Sequence, residues 1–355
     1  MTGQLFVTGM LRSGTTLLQT LLTNHPQLFV AYQPFHQLYV DVKRMFLEEQ
    51  GWNRLLPLGD GMDSSSDEPD RFAAWLRSRT FDADELRLLI SRAATGKGGG
   101  AADFSAPPLP APLGFFGLST HLHASLATRF SRDDAGQVGS KEVLCEEYLP
   151  AMTSEGIHCL LIVRDPRAVI ASANHGRYRA QVGDRYPLLM LVRLWRKSAR
   201  AWLAMAGTDN ATVVRYEDLV ARPDAELEAV ASALSIASFP DQLLHSPLRD
   251  HRGAPWKGNS SFGDKINVDA ASDGAWMTKL STAEARFIEA CAKTEMEALG
   301  YAPEVPPRRI AISEFTENVV GVRPGYLEHY ALGPANREIE LARWDAGAGD
   351  GPASP

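Results

Sequence analysis

The chain has 355 residues, 45% of them hydrophobic, enough to bury a large core in one elaborated domain or two smaller ones. Its formal charge of −7 argues against a general nucleic-acid binder, which carries a basic face, so any anion site has to be built locally. Cys145, Cys159 and Cys291 are an odd number of cysteines without metal-ligand spacing, and they read as buried free thiols rather than a disulfide framework or a metal site.

Met1 leads straight into a strand-like stretch without a basic-then-apolar leader, and no apolar run approaches the roughly 20 residues that span a bilayer, so a cytoplasmic protein without a membrane span is expected. Leu5 to Thr8 reads as a short strand, Gly9 to Gly14 as a tight loop, and Thr15 to Asn24 as a helix with leucines at 17, 18, 21 and 22, stopped by His25-Pro26. Residues 58–70 and 97–113, rich in turn-forming residues, read as loops around a helical insertion at about 71–95. Cys159-Leu-Leu-Ile-Val163 is a continuous apolar run of the kind a central parallel strand needs. Arg164-Asp-Pro-Arg167 then turns into a helix beginning near Ala168, with Pro166 suited to its first turn.

Ala211 to Arg215 reads as another strand, leading through Tyr216-Glu-Asp-Leu-Val into a helix from Pro223 to Leu234. Residues 281–299 have helical spacing in Phe287, Ile288, Cys291 and Leu299, opened by a Ser281/Glu284 capping box. Strands alternating with helices imply an α/β protein of three layers, a central parallel sheet flanked by helices, and the GxxxxG spacing of Gly9 to Gly14 makes the fold P-loop-type. The anion-binding signals lie near residues 9, 164 and 257, so they converge only within one folded unit, set at 1–304 with an insertion at about 58–118. Residues 305–355 form a C-terminal extension whose last ten or so residues, a Gly/Ala/Pro/Ser tail, are expected to be disordered.

Gly9-Met-Leu-Arg-Ser-Gly14-Thr15-Thr16 sits between strand and helix, where backbone N–H groups and the helix dipole favour a phosphate. It has GxxxxG spacing, but Thr15 stands where a nucleoside-triphosphatase loop has lysine, and the cation is Arg12 inside the loop. With no acidic strand end to hold magnesium, a P-loop phosphotransferase becomes the weaker alternative.

The strand, the Arg12-Ser13-Gly14-Thr15-Thr16 loop and the leucine-rich helix resemble the 5′-phosphosulfate loop of sulfotransferases that use 3′-phosphoadenosine 5′-phosphosulfate, the bacterial and carbohydrate-type members included. Val163-Arg164-Asp-Pro-Arg-Ala-Val-Ile-Ala-Ser172 is similar to the same family's 3′-phosphate motif, an arginine at a strand end and a serine eight residues on. Arginine's planar fork matches phosphate oxygens and serine adds a neutral donor. Pro255-Trp256-Lys257-Gly258 resembles the late Lys-Gly loop that folds over the 3′-phosphate, although Trp256 stands where the best-known cytosolic members have arginine.

The resemblance spans roughly residues 4–302 and implies donor contacts from Arg12 to Thr16, Arg164, Ser172, Trp256, Lys257 and Gly258, with the phosphosulfate donor as co-substrate and no metal. It further implies a hydroxyl-bearing acceptor: a small metabolite, lipid, glycan or natural product, or alternatively a peptidyl tyrosine, with no nucleic-acid partner. A donor-fold module that binds without turning over stays open, because Gln33 stands where relatives often carry a glutamate base.

In-line sulfuryl transfer needs positive charge at the bridging oxygen and a base for the acceptor proton. Lys141, upstream of the 3′-phosphate strand, is the candidate for the first task, and Glu142 and His36 are rival candidates for the second. Thr120-His121-Leu122-His123 resembles the threonine-histidine pair of the cytosolic members but ranks third, because it lies about forty residues from the 3′-phosphate strand.

Overall fold

The computed structural model describes residues 3–51, 67–96, 100–101, 108–176, 185–240, 243–258 and 270–304. Five parallel strands form the central sheet: β1 (Gly3–Thr8), β2 (Leu28–Tyr32), β5 (Gln137–Lys141), β6 (His158–Val163) and β7 (Ala211–Arg215), in the order β2-β5-β1-β6-β7. A two-stranded antiparallel ribbon, β3 (Thr80–Phe81) with β4 (Leu113–Gly114), lies apart from it. The helices are α1 (Thr15–Thr23), α2 (His36–Glu49), α3 (Glu68–Ser78), α4 (Ala83–Thr95), α5 (Phe115–Arg129) and α6 (Leu149–Ser154). They continue with α7 (Pro166–His175), α8 (Leu188–Met205), α9 (Tyr216–Ala221), α10 (Pro223–Ala233), α11 (Thr282–Cys291) and α12 (Lys293–Ala298).

The two-residue period of the strands divides the core. Phe6, Phe29, Ala31, Cys159 and Leu161 face a cluster built with α2, α3, α4, α5 and α6. Leu5, Val7, Leu28, Val30, Leu160 and Ile162 face the opposite cluster, which takes its leucines from α1, α9 and α10. A third cluster joins α7, α8, α11 and α12 through Val169, Trp195, Ile288 and Met296. The α/β fold with a parallel sheet between helical layers is thus as expected, and the three cysteines are buried and free.

The sequence-based boundaries of β1, α1, β6, β7 and α10 hold to within two residues. The helix expected near Ala168 already begins at Pro166, because Asp165 accepts the Arg167 N–H at 2.8 Å and caps it. The helical insertion consists of α3 and α4, and Phe72, Leu76, Leu86 and Leu89 bind it into the main core. The stretch 281–299, expected as one helix, breaks at Ala292, although its Ser281/Glu284 capping box is present.

Residues 305–355, including the tail expected to be disordered, lie outside the described residues, as do most of the loops expected at 58–70 and 97–113. Among the described residues, no helix is long and apolar enough to cross a membrane.

Candidate active site

The C-terminal ends of three adjacent strands, β5, β1 and β6, deliver the candidate residues to one edge of the sheet. Open parallel sheets bind ligands in the crevice outside these ends. At the end of β1 the loop turns through positive φ at Gly9 (150°), Arg12 (67°) and Gly14 (99°). A Cβ on Gly14 would lie 2.4 Å from Cδ2 of Tyr216, so glycine is required there both for conformation and for space. The left-handed backbone at Arg12, unfavourable for a side-chain-bearing residue, is held by hydrogen bonds on either side. The Ser13 N–H and Oγ–H both donate to the Met10 carbonyl, at 3.2 and 2.6 Å. α1 follows immediately, with no acidic residue in its first turn. Its N-terminal N–H groups and dipole therefore present a positive end beside Thr15 and Thr16.

Arg12 Nε donates to Ser172 Oγ at 2.9 Å, which joins the loop to α7. The Arg164 guanidinium, at the end of β6, lies over the Tyr216 ring with 4.0 Å between its central carbon and the ring centroid. Arg164 also anchors its own backbone, since its carbonyl accepts from Trp195 Nε1 at 2.7 Å. The following peptide is fixed by Glu217, whose carboxylate accepts the Asp165 N–H at 2.8 Å and the Tyr301 hydroxyl at 2.8 Å. Arg167 is occupied structurally: it is ion-paired with Asp165 and Glu289, and its guanidinium lies 4.4 Å from the Trp276 ring centroid. It is therefore not a donor ligand.

Lys141, the last residue of β5, is only 1% exposed. Its Nζ donates to Gln33 Oε1 at 3.1 Å and stands 3.9 Å from the centroid of the Tyr32 ring. Burial lowers its pKa to about 7, with Glu142 opposing the shift and the Arg12 guanidinium adding to it. Lys141, the candidate cation of the sequence, is therefore a buried amine whose proton is weakly held near neutral pH. Gln33 itself adopts φ of 43°. Its N–H donates to the Lys141 carbonyl at 2.9 Å, so one residue holds both ends of the lysine.

Glu142 and His36, rivals in sequence, come together. Glu142 is completely buried and accepts the Phe35 N–H at 2.9 Å at the start of α2. Its second oxygen, Oε2, is 3.9 Å from His36 Nδ1. Burial raises the Glu142 pKa to about 8 against the pull of the Phe35 hydrogen bond and Lys141. The His36 side chain is 22% exposed. Of the two, only the imidazole has an open face towards solvent.

The third-ranked pair is not part of this arrangement. His123 is buried between the Ser119 carbonyl, 2.9 Å from Nδ1, and Ser140 Oγ, 3.0 Å from Nε2, and burial lowers its pKa to about 4. Trp256 packs half-buried against the cluster of β1 and α1. Lys257 is exposed and Gly258 has φ of 76°. The hydrogen bonds of the preceding turn tie it to Asn24 at the far end of α1, through the Arg249 N–H and carbonyl.

Tyr216 was read in the sequence only as a strand-to-helix corner. Its ring contacts reach Gly14 and Arg164, which are distant in the chain, and no local spacing announces them.

Residues 4–91 match a family profile described as Sulfotransferase family, and residues 145–300 match one described as Sulfotransferase domain. No curated protein matches the chain. Among solved structures, the sulfotransferase domain from the curacin biosynthetic pathway aligns with 18% identity and a TM-score of 0.47, covering 86% of this chain and 99% of that one. The sulfotransferase domain from the Synechococcus PCC 7002 olefin synthase aligns with 20% identity and a TM-score of 0.48, covering 85% and 96%. Retinol dehydratase, in complex with androsterone and the inactive cofactor PAP, aligns with 13% identity and a TM-score of 0.39, covering 86% and 82%.

Proposed function

The chain belongs to the sulfotransferase family, whose two profiles together match more than half of it, and from that membership we propose a specific reaction. The enzyme moves the sulfuryl group of 3′-phosphoadenosine 5′-phosphosulfate to a hydroxyl of a small-molecule acceptor. The observation that carries this reading is the meeting of Arg12, in the loop after β1, with Ser172 of α7, beside the N-terminus of α1 and next to the strand whose end carries the buried Lys141.

In this reading the loop N–H groups and Arg12 hold the 5′-phosphosulfate, and Arg164 and Ser172 hold the 3′-phosphate. Lys257 and the Gly258 backbone supply a further contact to it. The acceptor oxygen forms a bond to sulfur while the bond from sulfur to the bridging phosphate oxygen breaks, and the electron pair leaves on that oxygen. Lys141 neutralises the charge developing there, and an anionic donor beside it restores its ammonium form. His36, the exposed member of its pair, takes the acceptor proton, and Glu142 orients the imidazole from behind. Separations of 3.9 Å are common between catalytic groups without substrate and tighten in the reacting complex.

The test is a thermal-shift and calorimetric titration with adenosine 3′,5′-bisphosphate and, separately, with ATP and magnesium, on wild type and Arg164→Ala. Stabilisation by the bisphosphate that Arg164→Ala abolishes is the expected result. A response to ATP and magnesium alone would replace this reading with a phosphotransferase. Tight bisphosphate binding without transfer to any of a broad set of acceptors would leave a binding module.

A further inference from the structure

Beneath the donor loop lies a closed ring of hydrogen bonds and ion pairs that the proposed chemistry does not use. The Met10 N–H donates to Ser198 Oγ at 3.0 Å, and the Ser198 hydroxyl donates to the Glu146 carboxylate. The other oxygen of Glu146 pairs with Lys197 Nζ at 2.7 Å, and Lys197 also donates to the Leu144 carbonyl at 3.3 Å. The Leu144 N–H donates to the Gly9 carbonyl at 3.1 Å, which closes the circuit on the Gly9–Met10 peptide where it began. Glu147 braces the ring from outside, pairing with Lys197 at 2.7 Å and with Lys43 of α2 at 2.9 Å.

Ser198, Glu146, Glu147 and Lys197 are all buried, and the half-buried Lys43 balances the second carboxylate, so two carboxylates meet two ammonium groups. Burial alone would raise the Glu147 pKa, but Lys197 and Lys43 outweigh it and hold it at about 2. Burial would likewise lower that of Lys197, but Glu146 and Glu147 raise it. Breaking one partner of such a set is costly because the charge left behind has no solvent to turn to.

We propose that Ser198 is a positioning residue for the donor loop, fixing the Gly9–Met10 peptide through the Met10 N–H so that the N–H groups from Arg12 to Thr16 face the donor's 5′ end. The proposal rests on the donor reading above. Both polar groups of Met10 are committed, the N–H to Ser198 and the C=O to Ser13, so the left-handed turn at Arg12 begins from a fixed plane. Ser198 is the neutral link between that plane and the charged set. Its hydroxyl accepts from the loop and donates to Glu146, which a carboxylate alone could not do without a further buried charge.

The experiment is calorimetric binding of adenosine 3′,5′-bisphosphate to the full-length wild type and to Ser198→Ala, Ser198→Thr and Ser198→Val, well below their unfolding temperatures. Threonine and valine have nearly the same shape, so their difference reports the hydroxyl alone, whatever strain the added methyl brings. Expected are a roughly tenfold loss of affinity for Ser198→Ala and a gap of similar size between the Thr and Val variants. A global loss of stability would lower all unfolding temperatures but would not separate Thr from Val in affinity. Equal affinities for the Thr and Val variants, or a Ser198→Ala variant that binds as wild type does, would overturn the proposal. No binding by wild type itself would overturn the donor reading, and this inference with it.

Discussion

Arg12 and Ser172, separated by 160 positions in the chain, are joined by a hydrogen bond of 2.9 Å. The two residues are assigned to opposite ends of the donor, one to the 5′-phosphosulfate and the other to the 3′-phosphate. Their contact makes the two subsites share an edge, so a change at one is felt at the other. Removing the guanidinium in Arg12→Ala is expected to weaken adenosine 3′,5′-bisphosphate binding by roughly 10- to 100-fold, the range of a charge-assisted hydrogen bond. Ser172→Ala should weaken it by less, roughly 3- to 10-fold, since serine offers a neutral donor. Calorimetry on both single variants and the double variant checks this, with non-additive losses expected because the side chains touch.

Gly14→Ala is expected to abolish bisphosphate binding and to destabilise the fold by about 2 kcal/mol or more. The added methyl collides with the Tyr216 ring and the backbone φ is 99°, so neither space nor conformation admits it. Denaturant unfolding measures the second effect independently of the first.

Lys141 and Glu142 should give opposite pH dependences of stability. The Lys141 pKa falls from 10.5 to about 7 on folding, so between those values the unfolded chain binds more protons and stability rises with pH. Lys141→Met removes that slope and is most stabilising below pH 7. The Glu142 pKa rises from 4.5 to about 8, so between those values the folded chain binds more protons and stability falls as pH rises. Glu142→Gln keeps an oxygen for the Phe35 N–H, removes that slope and is most stabilising above pH 8. Unfolding temperatures measured from pH 5 to pH 10 test both, with gains on the order of 1–2 kcal/mol at the favourable extreme.

His36→Asn is expected to slow transfer to an un-ionised alcohol or phenol by roughly 10²- to 10⁴-fold while leaving bisphosphate affinity unchanged. With 4-nitrophenol assayed above pH 8, where it is largely ionised, the loss should be much smaller because there is no proton left to accept. Equal losses for both acceptors would remove His36 from the role of base.

Ser281→Ala serves as a control remote from chemistry. It breaks the capping box of α11, in which Ser281 Oγ accepts the Glu284 N–H at 3.2 Å, and should cost about 1 kcal/mol without altering bisphosphate affinity.

Much of the fold was legible because its central elements are locally consistent. β6 is a run of apolar residues followed by Arg164-Asp-Pro166, and β1 opens directly into a glycine loop and a leucine-rich helix. β5, in contrast, reads Gln-Val-Gly-Ser-Lys and carries no strand signature, yet it lies between β2 and β1. It is buried because Gly139 lets the sheet close: a Cβ there would sit 1.8 Å from the Leu5 carbonyl oxygen. The same burial encloses Lys141, which nothing in the local sequence announces.

The candidate residues Arg12, Ser172, Lys141, Glu142 and His36 could be named from motifs and resemblance, but their pairing could not. His36 and Glu142 lie on different elements, and only packing makes them partners rather than rivals. Ser198 and Tyr216 were not legible as site residues, because what they do depends on contacts made across the molecule.

The strand order has a consequence for how the chain is made. β1 is synthesised more than a hundred residues before either of its neighbours: Gly3 pairs with Gln137, and Leu5 with His158. At about 5–20 residues per second, a ribosome leaves β1 without either partner for roughly ten seconds. During that interval an apolar segment with two open edges accompanies every nascent copy, an invitation to pair with another chain. Holdase chaperones that cover the segment during that interval should therefore raise the yield of this protein.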